Sequence, residues 1–356
     1  MKITHIHIER FRGFQNEDFE VGSLLTAIAG QNGTQKSTLL GIITQTFTLK
    51  TEDSMRVEKP LCGGSYISAF KDKFRLSPTF DKPKGHEWTI SFDAGMDDFT
   101  VESIKRTGDP NVRFWKKGAR QEGDGYISFP TIFLSLKRLV PVAEEAKIIT
   151  DDTLLTQEEL NEFKQLHNKI LIAQTPISSA TTITSKNKQS IGVSTELYDW
   201  NQNSMGQDNL GKIILALFSF KRLHDKYPRQ YKGGILAIDE MDATMYPASQ
   251  VELLKVLRKY ASKLNLQILF TTHSMSLLKA MDDLVQEVTK KEETANQAKI
   301  LYLKKVDDKI AIKQGVNFKG IQLDLNVVAE GNNRKKNRIT AYTEDKENIL
   351  FVKAIL

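Results

Sequence analysis

The sequence predicts an α/β fold: a mixed central sheet with parallel strands at its heart, covering helices, and an inserted antiparallel β region. Three observations carry this expectation. Short, fully apolar runs alternate with amphipathic stretches, as buried parallel strands alternate with the helices that cover them. A strand, a glycine-containing loop and a helix follow one another over residues 24–43. Between about residues 50 and 127, Gly63, Gly64, Pro78, Pro83, Gly85, Gly108 and Pro110 divide the chain into short β-rich pieces.

The elements follow in order. Ile3, Ile6 and Ile8 mark a first strand, and the chain turns at Phe11, Arg12, Gly13 and Phe14. Residues 24–29 form a second strand, whose loop opens a helix over 37–43. Within the insert, 88–92 and 99–104 read as antiparallel strands, and the apolar run 132–134 rejoins the main sheet. Thr156 and Glu159 form a capping box that starts a helix to about Ile172, whereas 175–191, rich in Ser, Thr and Lys, reads as a mobile connector. A further helix begins near Asp208. Gly233 and Gly234 lead into an apolar strand that ends in Asp239 and Glu240. An amphipathic helix bearing Leu253, Leu254 and Leu257 precedes a strand over 267–270, and a hairpin spans 300–312 around 306–309.

Bulk properties set limits. The 356 residues suffice for a substantial core, and 40% hydrophobic with 26% charged residues excludes a disordered or fibrous chain. Lys and Arg number 50 against 44 Asp and Glu, a net charge of +6, which admits an anionic partner without specifying one. Cys62 is the only cysteine, so no internal disulfide or cysteine zinc site forms, and a reducing, cytoplasmic setting is expected. Residues 1–8 lack the apolar core of a signal peptide, and no later stretch is long enough to span a bilayer, so no membrane partner is expected.

Residues 30–38 have the spacing of a phosphate-binding loop, in the strand–loop–helix setting that such a loop requires. Loop amides would wrap phosphates, Lys36 would neutralise their charge, and the Ser37 hydroxyl would hold Mg2+. Gln35 stands where the last glycine is usual. Its side chain would crowd the β- and γ-phosphates or force an unfavourable φ. ATP binding is therefore expected, with hydrolysis slow. A chance turn before a helix is the competing reading of the loop alone.

Asp239 and Glu240 close an apolar strand, where Asp239 would hold the Mg2+ shell and Glu240 would polarise an attacking water. Two solvated acids at a strand end is an equal reading of that pair by itself. Ser204, Met205, Gly206 and Gln207 at a helix start offer an anion a hydroxyl, flexible amides and a positive helix end, against the reading of a plain loop. His273 directly follows the strand at 268–270, a place where a histidine is often structural. The order loop, Ser-Met-Gly-Gln, Asp-Glu, His, each at the end of its element, joins these pieces into one signal.

With these motifs in order, the chain resembles the ABC-type ATPases grouped with SMC, RecF and OLD proteins. More narrowly, it is similar to ATPases of bacterial anti-phage systems, such as the Septu ATPase subunit and its retron-associated relatives. Residues 30–38, 204–207, 238–247 and 270–276 carry the resemblance, which covers 1–45 and about 195–280 well. It implies an ABC-type P-loop NTPase head over 1–335, with the strand-rich insert at 50–127 and a short helical segment and connector at 150–195. It also implies ATP and Mg2+ as cofactors, and a head-to-head dimer or higher homo-oligomer. Gly30, Asn32, Gly33, Thr34, Gln35, Lys36, Ser37 and Thr38 would hold ATP, with Ser37 and Asp239 as metal ligands. Ser204, Gly206 and Gln207 would reach the γ-phosphate held by the other head, and Asp242 would be the D-loop aspartate between heads. Glu240 and His273 would serve hydrolysis. Arg12 would approach the phosphates, an ordinary surface role being its alternative. No glutamine stands out as the family's Q-loop residue.

Residues 340–356 read as a strand, an acidic turn and an apolar-faced helix, similar to the opening of a Toprim domain with Glu344 as its first glutamate. Residues 336–356 are thus expected to be a truncated or vestigial Toprim-like segment, with a plain surface helix as the alternative. Basic clusters at 71–75, Lys116 and Lys117 with Arg120, Lys137 and Arg138, and 334–338 fit a DNA backbone or a solvated face equally well. DNA as a partner is implied by the resemblance alone. The expected function is an ATP-gated, slow ATPase that controls a nuclease effector subunit or domain in anti-phage defence. An ATP-sensing scaffold without turnover and a RecF-like DNA-repair ATPase are the alternatives. The insert and the tail disfavour an ABC transporter ATPase.

Overall fold

In a computed structural model of the chain, residues 1–67, 70–93, 95–105, 112–118, 124–140, 148–151, 154–185 and 189–330 are described. The chain divides into Met1–Phe318 and Lys319–Leu356.

The N-terminal strand β1 (Ile3–Phe11) pairs antiparallel with β2 (Phe14–Glu20). The chain then enters β3 (Leu25–Gly30), buried along its whole length, and after the loop the helix α1 (Lys36–Thr44). A two-residue strand β4 (Phe47–Thr48) and a one-turn helix α2 (Phe70–Lys73) lead to β5 (Glu87–Phe92), β6 (Phe99–Lys105) and β7 (Val112–Lys116). These three do not make a sheet of their own. β5 pairs with β1, giving one antiparallel sheet in the order β2-β1-β5-β6-β7. Alternation explains the pairing: Trp88, Ile90, Val101, Val112 and Phe114 turn to the same buried side as Ile6 and Ile8.

β8 (Ile127–Ser128) pairs with β4, and β9 (Thr131–Leu134) returns to the central sheet, as the apolar run at 132–134 predicts. The next segment departs from expectation. Where a connector is expected over 175–191, two strands stand: β10 (Ile149–Asp151), β11 (Ser179–Thr184) and β12 (Gln189–Ser194) form a three-stranded antiparallel sheet on either side of α3 (Gln157–Leu171) in sequence. Ile183, Ile191 and Val193 are buried, and their β-branched chains suit a pleated surface that packs on a helix. That helix is α4 (Met205–Lys226). The capping box at Thr156 and Glu159 is present as predicted.

β13 (Gly234–Ile238), α5 (Pro247–Lys263), β14 (Leu266–Thr272), α6 (Met275–Val288) and the hairpin β15 (Ala298–Val306) with β16 (Lys309–Lys313) complete the first unit. The central sheet runs β16-β15-β3-β14-β13-β9, parallel except for β16. β3, β13 and β14 are buried at every residue, as strands covered on both faces must be. Leu39, Leu40, Ile42 and Ile43 of α1 share one core with central-sheet residues such as Ile28, Ala237 and Leu269 and with the aromatic cluster of the antiparallel sheet. Gln267 stitches the two sheets. Its carboxamide accepts from the Ile3 amide (2.7 Å) and donates to the Ile3 and Gly22 carbonyls (2.8 and 3.1 Å), the pattern of a missing strand's backbone.

Of the second unit, α7 (Phe318–Glu330) is described. The Toprim-like segment with Glu344 and the basic cluster at 334–338 lie outside the described residues. Among the described residues, no helix is long and apolar enough to cross a membrane.

Candidate functional site

β3, β14 and β13 lie side by side and parallel, so the loops that leave their C-terminal ends converge at one edge. The loop after β3 is residues 31–35. Gly30 has φ 150°, and a Cβ there would stand 2.4 Å from the Leu303 carbonyl oxygen, so only glycine fits. Gly33 is left-handed at φ 81°, and Thr34 closes the turn by donating its hydroxyl to the Gln31 carbonyl (2.8 Å). Asn32 is exposed at the tip.

Gln35 takes the glycine conformation without being glycine. At φ 62° and ψ 31° it caps α1 in the left-handed region, so the unfavourable φ foreseen for it is the outcome. Its carboxamide lies against the Gly13 turn, where a Cβ on Gly13 would stand 2.8 Å from its Nε2, and its buried Oε1 has no hydrogen-bond partner.

Lys36, 8% exposed, bends back and donates its ammonium to the carbonyls of Gly30 (3.0 Å) and Gln31 (2.8 Å). Burial pushes it down to about 8, against the opposite pull of Glu240, Asp239 and Asp242. Ser37 donates its hydroxyl to Asp239 Oδ1 (2.9 Å), and the same oxygen accepts from Thr271 Oγ1 (2.7 Å). Thr271 Oγ1 in turn accepts from the Glu240 amide (2.6 Å). Ser37, Asp239, Thr271 and Glu240 are thus one hydrogen-bonded chain across three strand ends. The Asp242 carboxylate accepts from the His273 amide (3.3 and 3.4 Å). Burial, with the cationic Lys36 second, holds the His273 imidazole below its ordinary value, so it is neutral at pH 7.

Arg12 reaches this edge from the turn between β1 and β2. Its guanidinium forks onto Asp81 (3.1 Å to each oxygen), donates to the Arg75 carbonyl (2.7 Å) and lies 3.4 Å from Thr38 Oγ1. Burial alone would raise the Asp81 carboxyl, but Arg12, the Ser77 amide and His86 outweigh it and hold it below its ordinary value.

Ser204, Gly206 and Gln207 gather at the start of α4. Ser204 caps α4: its Oγ accepts from the Gln207 amide (3.3 Å), while Gln207 Oε1 accepts from the Ser204 amide (2.8 Å) and Gln207 Nε2 donates to Tyr198 Oη (2.8 Å). A Cβ on Gly206 would sit 2.5 Å from the Thr244 carbonyl oxygen, so the helix start presses on the turn that follows Glu240.

Sequence reasoning missed Thr271, Asp81, Asn209 and the placement of Arg138. Read as half of a basic surface pair, Arg138 is 2% exposed and faces the interior, so it does not reach a DNA backbone. Lys73, from the cluster at 71–75, is likewise buried and donates to the Thr44 carbonyl (2.8 Å). Lys117 pairs with Glu87 (2.6 Å) at the surface, and Arg120 lies outside the described residues. Among the described residues, no group of three or more His, Cys, Asp or Glu converges as a metal site. Ser37 and Asp239 are the oxygen donors that could hold a metal here, a sparse set that would suit Mg2+ if phosphates completed its shell.

A family profile described as "AAA ATPase domain" matches residues 1–190 and 134–278. No curated protein matches the sequence. Similar solved structures include an SmcHead bound to the C-winged helix domain of ScpA, at 14% identity and a TM-score of 0.53, covering 90% of this chain and 100% of that one. Another is an Smc head domain with an extended coiled coil, bound to the C-terminal domain of ScpA, from Pyrococcus furiosus. It is 12% identical, with a TM-score of 0.50, and covers 92% of this chain and 99% of that one. The likeness is one of fold, the mixed α/β fold of an ABC-type P-loop ATPase head.

Proposed function

We propose, on the premise that this chain belongs to the family of AAA ATPase domains, that it is a slow ATPase that pairs with a second copy around ATP. The observation that carries the reading is the hydrogen-bonded chain Ser37–Asp239–Thr271–Glu240 beside Lys36 at the end of three adjacent parallel strands. The residues fit the ligands. The loop amides at 31–35 and the open N-terminus of α1 suit phosphate oxygens, and Lys36 supplies the compensating charge. Mg2+ between Ser37 and Asp239 would neutralise charge on the phosphates. Glu240 would accept a proton from water, and His273 would meet the γ-phosphate with its ring. Arg12, fixed by Asp81, would approach from beside Thr38.

Ser204, exposed at the start of α4 with Gly206 and Gln207 beside it, is the surface that a second copy's nucleotide would meet, with Asp242 at the seam. The reading extends to control of a nuclease effector in anti-phage defence and to DNA as a partner, on the strength of motif likeness. A second reading, an ATP-sensing scaffold without turnover, is favoured by left-handed Gln35. One experiment separates them: light scattering and phosphate release are recorded together with Mg-ATP, for the unmodified chain and for Gln35→Gly. A slow ATPase doubles its mass on ATP and releases phosphate slowly, and Gln35→Gly is faster. Doubling without phosphate in either protein identifies the scaffold; neither doubling nor binding removes both readings.

Lys36 also sets a pH limit. Its folded-state value, about 8, lies below its unfolded 10.5, so without nucleotide the fold gains stability as pH rises between those values. Phosphate binding needs the cation and runs the other way. ATP affinity is expected to hold up to about pH 8 and then fall by up to roughly tenfold per pH unit. Lys36→Arg, which stays charged, should show no such limb in binding titrations across that range.

A further inference from the structure

Arg138 is buried between three segments, with the carboxylates of Asp239, Glu240 and Asp242 near enough to favour its charge. Its hydrogen bonds among the described residues go to neutral oxygens. It donates to the Leu134 and Ser135 carbonyls (3.3 and 3.2 Å), to Asn209 Oδ1 on α4 (2.7 Å) and to the Glu240 carbonyl (2.8 Å). A buried cation is a costly way to satisfy carbonyls. What it adds is a planar fork of donors that holds all three segments at fixed separations. Asn209, fully buried, continues the line: its Nδ2 donates to the Ala243 carbonyl (3.0 Å) and lies 3.4 Å from Thr244 Oγ1.

Segment 240–244 is thereby held at both ends, and at both it is strained. Glu240 and Thr244 are left-handed, at φ 50° and 68°, and neither is glycine. Such conformations persist where the surroundings over-determine them, and here the surroundings are Arg138 with Thr271 at one end and Asn209 at the other. Gly206, one turn before Asn209 on the same helix, rests on the Thr244 carbonyl.

We propose that Arg138 and Asn209 are positioning residues that fix Glu240 against Ser204 and Gly206 within one chain, and so couple the two nucleotides of a paired dimer. The proposal rests on the reading above, in which Glu240 acts on the chain's own ATP while Ser204 and Gly206 face the one held by the second copy. Closure of the partner's nucleotide on Ser204 then moves the rigid start of α4, and through Asn209 and Arg138 the main chain of Glu240.

Two variants of the full-length chain test it. Arg138→Lys keeps the charge but cannot span three segments. Asn209→Asp keeps the acceptor for Arg138 but turns the donor facing Ala243 into an acceptor. Thermal midpoint, ATP affinity and phosphate release against ATP concentration are measured above the concentration at which the dimer forms. In both variants the expected result is ATP affinity within about threefold of the unmodified chain, maximal turnover down roughly 10- to 100-fold, and a Hill coefficient falling from above one to about one. A purely structural role would lower the midpoint and leave turnover per folded chain and the Hill coefficient alone. That outcome, or a Hill coefficient of about one in the unmodified chain, overturns the proposal. If Arg138→Lys does not fold, Asn209→Asp decides. No ATP binding by the unmodified chain overturns the ATPase reading, and the coupling with it.

Discussion

Glu240→Gln is expected to leave ATP binding intact, lower phosphate release by about 10²- to 10⁴-fold, and hold the ATP-bound chains as a dimer that outlasts removal of free nucleotide. The substitution is nearly isosteric, and the backbone at this position is held by contacts that it does not touch. The Glu240 amide donates to Thr271 Oγ1 and its carbonyl accepts from Arg138, so the left-handed turn survives when a carboxylate oxygen becomes an amide nitrogen. What is lost is the capacity to take a proton from water. Turnover is read by phosphate release and the trapped dimer by size-exclusion chromatography with light scattering. Turnover within a factor of a few of the parent would remove Glu240 from the chemistry.

Lys36→Ala should separate stability from function. ATP affinity is expected to fall by roughly 100-fold or more, the scale of losing a charged hydrogen-bond partner in a desolvated site. Stability should not fall with it. With a folded value near 8 against 10.5 unfolded, the buried ammonium costs the ligand-free fold on the order of 3 kcal/mol at neutral pH. Alanine removes that cost, while the Gly30 and Gln31 carbonyls that lose their donor lie beside the exposed tip of the loop. A thermal midpoint equal to or above the parent, together with lost nucleotide binding, is the expected pair of results. A lowered midpoint with binding retained would show that Lys36 braces the loop and does not meet phosphate. Functional groups held at such a standing cost are where activity and stability trade against each other.

How much of this was legible beforehand depends on whether the cause was local. The strand–loop–helix over 24–43, the strand ending at Asp239 and Glu240 and the cap at Thr156 read correctly because each is set by a few adjacent residues. The hairpin around Asp307, left-handed at φ 53°, belongs with them. The antiparallel strands expected in the insert are present, but the pairing of β5 with β1 depends on a partner far along the chain and so could not be read locally. Residues 175–191 were misread because Ser and Thr signal loops locally, whereas here their β-branched neighbours meet α4. Arg138 is the sharpest case. Beside exposed Lys137 it has the composition of a solvated pair, and only tertiary packing shows that one of the two side chains turns inward. Nothing in the sequence near Asn209 announces its place beneath the Ser204 cap.

The sheet order has a consequence for how the molecule is made. The strand that carries the phosphate loop is flanked by β14 and β15, which begin at Leu266 and Ala298. A growing polypeptide therefore holds residues 25–30, which the fold buries on both faces, without either neighbour until residues 266–306 have left the ribosome. Until then that segment is an unprotected sticky edge, and the loop that follows it meets the ends of β13 and β14 only after they are made.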